Sequence, residues 1–297
     1  MELAEFVDDI PSNKCSYKRF QGRPFHRIVP GNVRDHLQKF SDLQCRSDDV
    51  ILCTFPKSGS HWMYNTIQML RTGTLTYSGT PFVADFEDLG WVETMETPRT
   101  FLTHLTFPLI PSDAKSGVPK IIFLSRNPKD VLVSYFHFID SMINTGFEGD
   151  FSFFMKFFLS EEFFSSGASW FTYMKEWADG IKEYPEMRIL SLTYEDFKKD
   201  TFGCIKTLDD FLVVNRSVAF LQDVEKHIAF ENLKNDHSKI TDQSARWTVV
   251  DKYGKVPIYR KGRVGDWKRK FTVAQNECFN ATYRQKMAGY HLDFDYE

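Results

Sequence analysis

The feature that most constrains the fold is a short apolar run that ends in a turn and leads directly into an amphipathic segment. Val50–Phe55 reads Val-Ile-Leu-Cys-Thr-Phe and is followed by Pro56 and Gly59, which is how a buried parallel strand ends. From His61 to Arg71 the apolar residues recur partly at helical spacing. The sequence therefore predicts a strand, a loop large enough to hold a phosphate group, and a helix.

Two further segments repeat this pattern. Lys120–Ser125 is a second predicted strand, and a helix is predicted over Pro128–Met142. A third strand is predicted over Met187–Thr193, with a helix over Phe202–Val214 behind it. Strands that alternate with helices predict an α/β fold in which helices flank a central parallel sheet.

No feature divides the 297 residues into two domains, because the chain has no internal repeat, no low-complexity linker and no break in composition. A single domain of this length can bury about 75% of its unfolded surface. Thr72–Pro98 contains three glycines and no clear period, and a connection this long is more often a binding lid than a spacer. We expect a single domain over residues 1–297.

Composition excludes several classes of protein. Hydrophobic residues make up 42% and charged residues 26% of the chain, which is typical of folded globular proteins. The net charge of -3 argues against a general nucleic-acid binder. No apolar stretch reaches the ~18 residues of a membrane span, and the acidic start does not resemble a signal peptide, so we expect a cytosolic protein. Five cysteines without a C-x-x-C pair indicate reduced thiols, with neither a disulfide framework nor a zinc site.

The loop after the first strand carries the strongest chemical signal. Phe55–Trp62 reads Phe-Pro-Lys-Ser-Gly-Ser-His-Trp. A glycine turn between a strand and a helix directs several backbone N–H groups at one point, and the helix dipole adds to their attraction for an anion. Lys57 adds a point charge. The Walker A pattern is not met, because its first glycine is missing and Gly59 follows the Lys-Ser pair.

Three separated motifs resemble the cytosolic sulfotransferase family. The loop Phe55–Trp62 is similar to the family's phosphosulfate loop, Tyr-Pro-Lys-Ser-Gly-Thr-Thr-Trp. Arg126–Tyr135 reads Arg-Asn-Pro-Lys-Asp-Val-Leu-Val-Ser-Tyr, and Arg260–Lys268 reads Arg-Lys-Gly-Arg-Val-Gly-Asp-Trp-Lys. The motifs stand in the family's order, and the resemblance covers about residues 20–297. It implies a single sulfotransferase domain with a P-loop-like strand, loop and helix that bind the phosphosulfate.

The resemblance implies transfer of a sulfuryl group from 3′-phosphoadenosine 5′-phosphosulfate (PAPS) to the hydroxyl or amine of a small, mostly apolar acceptor, without a metal. His104 matches the family's catalytic histidine and is the expected general base. Lys57 is expected to stabilise the leaving phosphate, and Ser134 is the third residue assigned to catalysis. In such a transfer, positioning and electrostatics provide most of the rate.

The nucleotide is expected to bind across all three motifs. The family's 3′-phosphate contacts match Arg126, Ser134 and the sequence Arg260, Lys261 and Gly262. Charge supports this assignment, because Asp251–Lys270 holds eight basic residues against two acidic ones. Besides Lys57, the other expected nucleotide contacts lie in the loop or match the aromatic positions around adenine: Ser58, Gly59, Ser60, His61, Trp62, Tyr194 and Phe230.

The acceptor is expected to lie in an apolar pocket, although the resemblance is poorest in the loops that would shape it. Phe138 matches a wall of the family's pocket. Four more aromatic residues are candidates by position: Phe25, Phe82, Phe86 and Trp91.

The chain departs from the family pattern at several site positions. Leu102 stands where the family usually has a lysine two residues before the catalytic histidine. Ser60 and His61 replace two threonines, and Ile228 replaces a hydroxyl residue that usually contacts the nucleotide. We therefore expect activity with an altered rate or acceptor preference.

The predicted lid segment Thr72–Pro98, between Arg71 and Arg99, also carries five carboxylates and no lysine or arginine. One interpretation is that they keep a long loop solvated. The alternative is that they face the pocket and favour acceptors with an amine. The five residues are Asp85, Glu87, Asp88, Glu93 and Glu96.

A segment near residue 270 suggests how two chains pair. Lys268, Thr272, Val273 and Glu277 match a short stretch through which many members of the family dimerise, so a homodimer with a small isologous contact is expected. The alternative is an ordinary amphipathic segment.

Two other functions remain open at this point. One is a P-loop kinase that uses Mg-ATP, with Asp196 after the third strand as its Walker B acid. Against it, Arg126, Ser134 and the cluster at Arg260 suit a 3′-phosphate and have no purpose for a γ-phosphate. The other is a non-catalytic protein that carries a hydrophobic ligand, which Leu102 and Ile228 suggest.

Overall fold

A computed structural model describes residues 17–26, 28–141, 147, 149–160, 163, 166–238 and 258–297. Met142, the predicted end of a helix, lies outside these ranges, as do residues 251–257 of the basic segment.

The described chain contains six strands: β1 Tyr17–Phe20, β2 Arg23–His26, β3 Val50–Thr54, β4 Thr100–Thr103, β5 Lys120–Ser125 and β6 Arg188–Thr193. It contains twelve α-helices: α1 Val33–Ser41, α2 Ser60–Thr72, α3 Gly90–Thr94, α4 Ser112–Lys115, α5 Pro128–Ser141, α6 Phe151–Leu159, α7 Trp170–Glu183, α8 Tyr194–Lys199, α9 Thr201–Leu212, α10 Val218–His227, α11 Phe230–Ser238 and α12 Val273–Lys286. Two 3-10 turns cover Phe107–Leu109 and Asp266–Arg269.

The central sheet has the strand order β4-β3-β5-β6, and every pair in it is parallel. Val50 lies opposite both Thr100 and Lys120, so the strands end at a common edge. The predicted α/β fold with a parallel sheet is confirmed. β5 has its predicted bounds, and β6 begins one residue later than predicted, at Arg188.

Both faces of the sheet are covered, which places the core on two sides. Successive residues of β3 alternate between two apolar clusters: Ile51 and Cys53 join one cluster, whereas Val50 and Leu52 join the other. Because side chains alternate across a strand, a run that is apolar at every position needs a layer on each side. The first cluster includes residues of α7, and the second includes residues of α2 and α9.

Two connections differ from their predictions. The lid segment Thr72–Pro98 contains α3, and its backbone extends the sheet where Ala84 N donates to Leu102 O at 2.8 Å. The helix predicted over Phe202–Val214 is α9, and a separate short helix that was not predicted, α8, precedes it. α9 begins earlier than predicted because the Asp200 side chain accepts from Gly203 N and caps it.

The segment after residue 258 docks onto α5 through a buried carboxylate. Asp130 accepts from Gly265 N at 2.8 Å and from Trp267 N at 3.0 Å. This contact brings the third sequence motif to the start of the helix that carries the second. Within the part of the chain that the structure describes, no helix combines the length and apolar character needed to cross a membrane.

Candidate active site

The loop between β3 and α2 is built on two residues with positive φ. Lys57 has φ +71° and Gly59 has φ +102°. A Cβ on Gly59 would lie 2.7 Å from Cδ2 of Tyr194, so both the conformation and the space require glycine. Ser60 begins α2, and no acidic residue occupies the first turn of that helix. The loop therefore points the free N–H groups of a 13-residue helix at one place.

Three cations converge on this loop. Arg126 Nη1 donates to Lys57 O at 3.1 Å, and Lys57 Nζ lies 3.7 Å from the ring centroid of Phe138. Burial, and then the charges of Arg126 and Arg260, lower the pKa of Lys57 to about 7. An anion at this place would relieve the repulsion between the three charges.

Arg126 joins the second and third motifs. Its Nη2 donates to Arg263 O at 3.0 Å, and its guanidinium lies 4.1 Å from the ring centroid of Tyr194. The Asp130 carboxylate lies 3.7 Å from the same Nη2. The contacts hold the guanidinium beside the loop, at the carboxyl edge of the sheet, where such folds bind ligands.

Asp266 orders two cations of the third motif, Arg260 and Lys261. Arg260 Nη2 donates to it at 2.7 Å and Lys261 Nζ at 2.8 Å. Burial by itself raises the pKa of Asp266, but the hydrogen bonds from Lys261 and Arg260 outweigh burial, and the pKa is lowered. Next to them, a Cβ on Gly262 would lie 2.2 Å from Cδ2 of Phe230, so the glycine lets the loop contact that ring.

Several buried polar atoms around the loop have no hydrogen-bond partner among the residues that the structure describes. Such atoms are rare in folded proteins and point to a ligand or water. Four of them are side-chain nitrogens of basic or aromatic residues, which fits a ligand that carries phosphate oxygens and a base. The atoms are Ser58 Oγ, His61 Nδ1, Trp62 Nε1, Arg126 Nε and Arg260 Nε.

The predicted aromatic contacts of the nucleotide lie in two places around the loop. Trp62 and Tyr194 pack edge to face with centroids 5.4 Å apart. Phe230 packs against Tyr259 at 6.0 Å, next to the third motif. Ser134 lies on α5, half-buried, about 9 Å along the helix axis from Pro128.

His104 follows β4 and is buried beside the loop. Its Nδ1 lies 2.6 Å from Thr54 O, and a carbonyl oxygen only accepts, so Nδ1 carries the proton and Nε2 keeps its lone pair. Burial lowers the pKa of His104, opposed by the Asp85 charge and the bond to Thr54. At neutral pH the ring is therefore an unprotonated base.

Asp85 is the residue at this site whose role was not predicted. Its carboxylate is 1% exposed, and it accepts from Thr103 Oγ1 at 2.7 Å. It also accepts from His104 N, with both oxygens within 3.1 Å. The interpretation that all five loop carboxylates are solvated is wrong for Asp85 and for Glu87, which is also buried. Asp88, Glu93 and Glu96 are exposed.

The proposed pocket residues divide into three groups. Phe86 lies beside His104, with ring centroids 6.4 Å apart, and Phe138 lies beneath the Lys57 ammonium. Phe25 and Phe82 are buried in the core cluster that includes α7 residues. Trp91 is 56% exposed, on α3.

Two of the departures from the family pattern are apolar core residues. Leu102 and Ile228 are both buried in the cluster that includes α2 and α9 residues. His61 differs from them, because its ring sits in the first turn of α2 beside the loop.

The expected dimer segment is exposed where it was predicted to pair. Val273 is 77% exposed at the start of α12. Thr272 has a local role as well, because its side chain and that of Gln275 form a capping box for this helix.

Comparison with known proteins gives a consistent result. Residues 47–291 match the family described as the sulfotransferase domain. The chain is 30% identical to the amine sulfotransferase of Oryctolagus cuniculus, over 93% of this chain and 92% of that protein. It is 31% identical to sulfotransferase 2A1 of Rattus norvegicus, over 92% and 96%.

Solved structures agree in fold. The structure of mouse sulfotransferase SULT7A1 complexed with PAP is similar with a TM-score of 0.74 and 26% identity, over 91% of this chain and 94% of that one. Retinol dehydratase in a complex with retinol and PAP is similar in fold, with a TM-score of 0.75 and 21% identity, over 96% and 93%.

Proposed function

This chain belongs to the sulfotransferase domain family, and we propose that it transfers the sulfuryl group of PAPS to the hydroxyl or amine of a small, mostly apolar acceptor. The observation that carries the proposal is the convergence of Lys57, Arg126 and Arg260 on the loop before α2. The mouse relative of similar structure was solved with PAP, the nucleotide that remains after PAPS gives up its sulfuryl group.

The nucleotide's phosphates have separate binding groups in this proposal. Lys57, Ser58 and the first N–H groups of α2 hold the 5′-phosphosulfate, since helix N-termini bind such groups. Arg126, Ser134 and the Arg260–Gly262 segment hold the 3′-phosphate. The adenine lies among Trp62, Tyr194 and Phe230.

His104 Nε2 acts as the general base. It accepts the proton of the acceptor hydroxyl while that oxygen forms a bond to sulfur and the bond between sulfur and the phosphate oxygen breaks. The Lys57 ammonium neutralises the charge that develops on the departing phosphate oxygen. The contact of Nδ1 with Thr54 O fixes the tautomer that this role requires.

The acceptor is placed between Phe86 and Phe138, since both adjoin the catalytic side chains. A preference for amines is supported by one relative, which is named an amine sulfotransferase. It is also supported by three exposed carboxylates, Asp88, Glu93 and Glu96, on the segment that carries Phe86. A phenolic amine compared with its uncharged analogue, at low and high salt, tests this preference. Equal efficiencies would contradict it.

The position of Asp196 does not support the kinase alternative, in which this residue would be the Walker B acid. Asp196 is exposed, and its carboxylate accepts from the Thr193 hydroxyl at 2.7 Å. Thr193 is the N-cap of α8 and accepts in turn from Asp196 N at 2.9 Å, so Asp196 belongs to the capped first turn of this helix. A cytosolic location and a single domain over residues 1–297 belong to the same proposal.

A thermal-shift comparison tests the proposed function. Adenosine 3′,5′-bisphosphate should raise the melting temperature, because a ligand that binds only the native state stabilises it. Magnesium with ATP should raise it much less. Stabilisation by Mg-ATP alone would support the kinase, and binding of a hydrophobic acceptor without sulfuryl transfer from PAPS would support the non-catalytic carrier.

A further inference from the structure

His61 is an unusual side chain in a phosphate-binding loop. It lies in the first turn of α2, and its Nδ1 is shielded from solvent with no hydrogen-bond partner among the described residues. Ser58, whose side chain is fully buried, also has an unpartnered Oγ in the same loop. Two unpartnered polar groups at one helix N-terminus point to a ligand that completes their hydrogen bonds.

The charged groups that lower the pKa of His61 are all basic and come from three parts of the chain. Lys57 belongs to the loop, His104 follows β4, and His237 lies on α11. Burial, followed by these three groups in the order Lys57, His237 and His104, lowers the pKa of His61 well below its usual value. Its ring is therefore neutral in the free protein.

The charged groups beside these neighbours complete the environment. Arg126 and Arg260 add positive charge near Lys57, and the Asp85 carboxylate lies near His104. His237 is bonded to the hydroxyl of Tyr77 at 3.2 Å. The side of His61 that faces the loop thus carries an excess of positive charge before any anion arrives.

We propose that His61 is a phosphate ligand that takes up a proton when the nucleotide binds, so that the loop gains one positive charge only when an anion is present. The proposal rests on the proposed function, because the anion is the nucleotide's 5′-phosphate. A phosphate oxygen only accepts hydrogen bonds, and a dianion within a few ångströms favours the imidazolium over the neutral ring. The proton comes from solvent, and no bond of the nucleotide breaks.

Proton uptake makes nucleotide affinity depend on pH with a fixed sign. A group protonated in the complex and not in the free protein strengthens binding at low pH, so affinity must fall as pH rises. The slope of the logarithm of affinity against pH equals the number of protons taken up. Lys57 also contributes to this slope, since its pKa is lowered to about 7. Variants must separate the two groups.

The test measures the affinity of adenosine 3′,5′-bisphosphate from pH 7 to pH 9 by calorimetry, in buffers of different ionisation enthalpy. This range lies above the second ionisation of a phosphate monoester, near pH 6, so the ligand's own protons contribute little. We expect His61→Gln to take up about half a proton to one proton less than wild type. His291→Gln, on an exposed residue far along the chain, is the matched control and should behave as wild type.

Lys57→Arg provides a second, independent variant, because arginine stays charged throughout the range. Its slope should stay clearly negative, since His61 still titrates. Equal slopes in wild type and His61→Gln, or a flat profile in Lys57→Arg, would overturn the role of His61 while nucleotide binding, and with it the proposed function, still stands. Failure of the wild type to bind the bisphosphate at all would overturn both.

Discussion

The Asp85 carboxylate receives the backbone N–H of His104 with both of its oxygens, at 3.1 and 3.0 Å. A buried carboxylate therefore fixes the backbone of the proposed base and also raises its pKa, against the lowering effect of burial. The described hydrogen bonds of Asp85 go to Thr103 and to His104 N. Asp85 therefore acts through His104, as a positioning residue.

Asp85→Asn should move the pH profile as well as reduce the rate. Loss of the carboxylate lowers the pKa of His104 further, and a base works only when unprotonated, so the acid limb of kcat/KM should shift to lower pH. We expect kcat to fall by about 10-fold, since one charged hydrogen bond contributes ~1.5–3 kcal/mol. Asp88→Asn, on an exposed residue of the same loop, is the control. A lower rate with an unmoved acid limb would reduce Asp85 to a structural role.

His104→Ala should leave nucleotide binding nearly intact, because the ring contacts Thr54 O and lies beside Phe86, a residue of the proposed acceptor pocket. Turnover should fall by ~10²-fold or more, the loss expected for a general base. Calorimetry with the bisphosphate and steady-state rates on the same sample check both statements. Comparable turnover in the variant with a high-pKa alcohol would remove His104 from this role.

Arg260→Ala and Arg126→Ala should each weaken binding of the nucleotide by ~1.5–3 kcal/mol, because each substitution removes charge-assisted hydrogen bonds. Measuring the affinity of the 3′-dephosphorylated nucleotide shows which phosphate the arginines bind. If the arginines hold the 3′-phosphate, its affinity should barely change in the variants. An equal loss for both nucleotides would assign these arginines to another part of the ligand.

Gly262→Ala should disturb the site more than a positive φ alone explains. Both Gly262 and Gly289 have positive φ, but only at Gly262 would a Cβ meet a ring, 2.2 Å from Phe230. Alanine at Gly289 should cost about 1–2 kcal/mol of stability, and alanine at Gly262 a further ~1–3 kcal/mol. Melting temperatures give the difference, and bisphosphate affinity should fall only in Gly262→Ala. Equal melting temperatures would mean that Phe230 moves aside.

Val273→Glu should yield monomers if the expected isologous contact forms. A charge on this exposed side chain would face its own copy across the two-fold axis, and like charges at an apolar contact repel. Sedimentation velocity of the variant and the wild type measures this. Gln275→Glu is the neighbouring control, because it adds the same charge two residues away and keeps a side chain that can cap the helix. A dimer that survives in Val273→Glu would place the contact elsewhere.

Three of the four strands of the sheet, β3, β5 and β6, were predicted to within one residue of their bounds, whereas no bounds were predicted for β4. β3 and β5 are apolar at nearly every position because both faces are covered, and such runs are local signals. α9 begins one residue before its predicted start at Phe202, because Asp200 caps it at the residue before Thr201. The pairing of Ala84 with Leu102 depends on a contact between distant residues and has no local signal.

The site was predictable where motifs carry it and not where contacts between distant residues do. Lys57, Arg126 and Arg260 were predicted from motifs, and the structure places all three around one loop. Asp85 was grouped with solvated carboxylates because a charged residue in a polar loop is usually exposed. The apolar run Pro81–Ala84 immediately before it is the one signal that could have suggested burial.

The bond from Arg126 to Arg263 O has a consequence for the order in which a growing chain acquires its binding site. The phosphate loop and α5 leave the ribosome first, and the segment that carries Arg260 follows on the order of ten seconds later at ordinary elongation rates. During that interval the nascent sheet presents Lys57 and Arg126 without the partner carbonyl and cations that complete the site. High-affinity capture of the nucleotide, and any stabilisation it gives, must therefore wait until the later segment docks on Asp130.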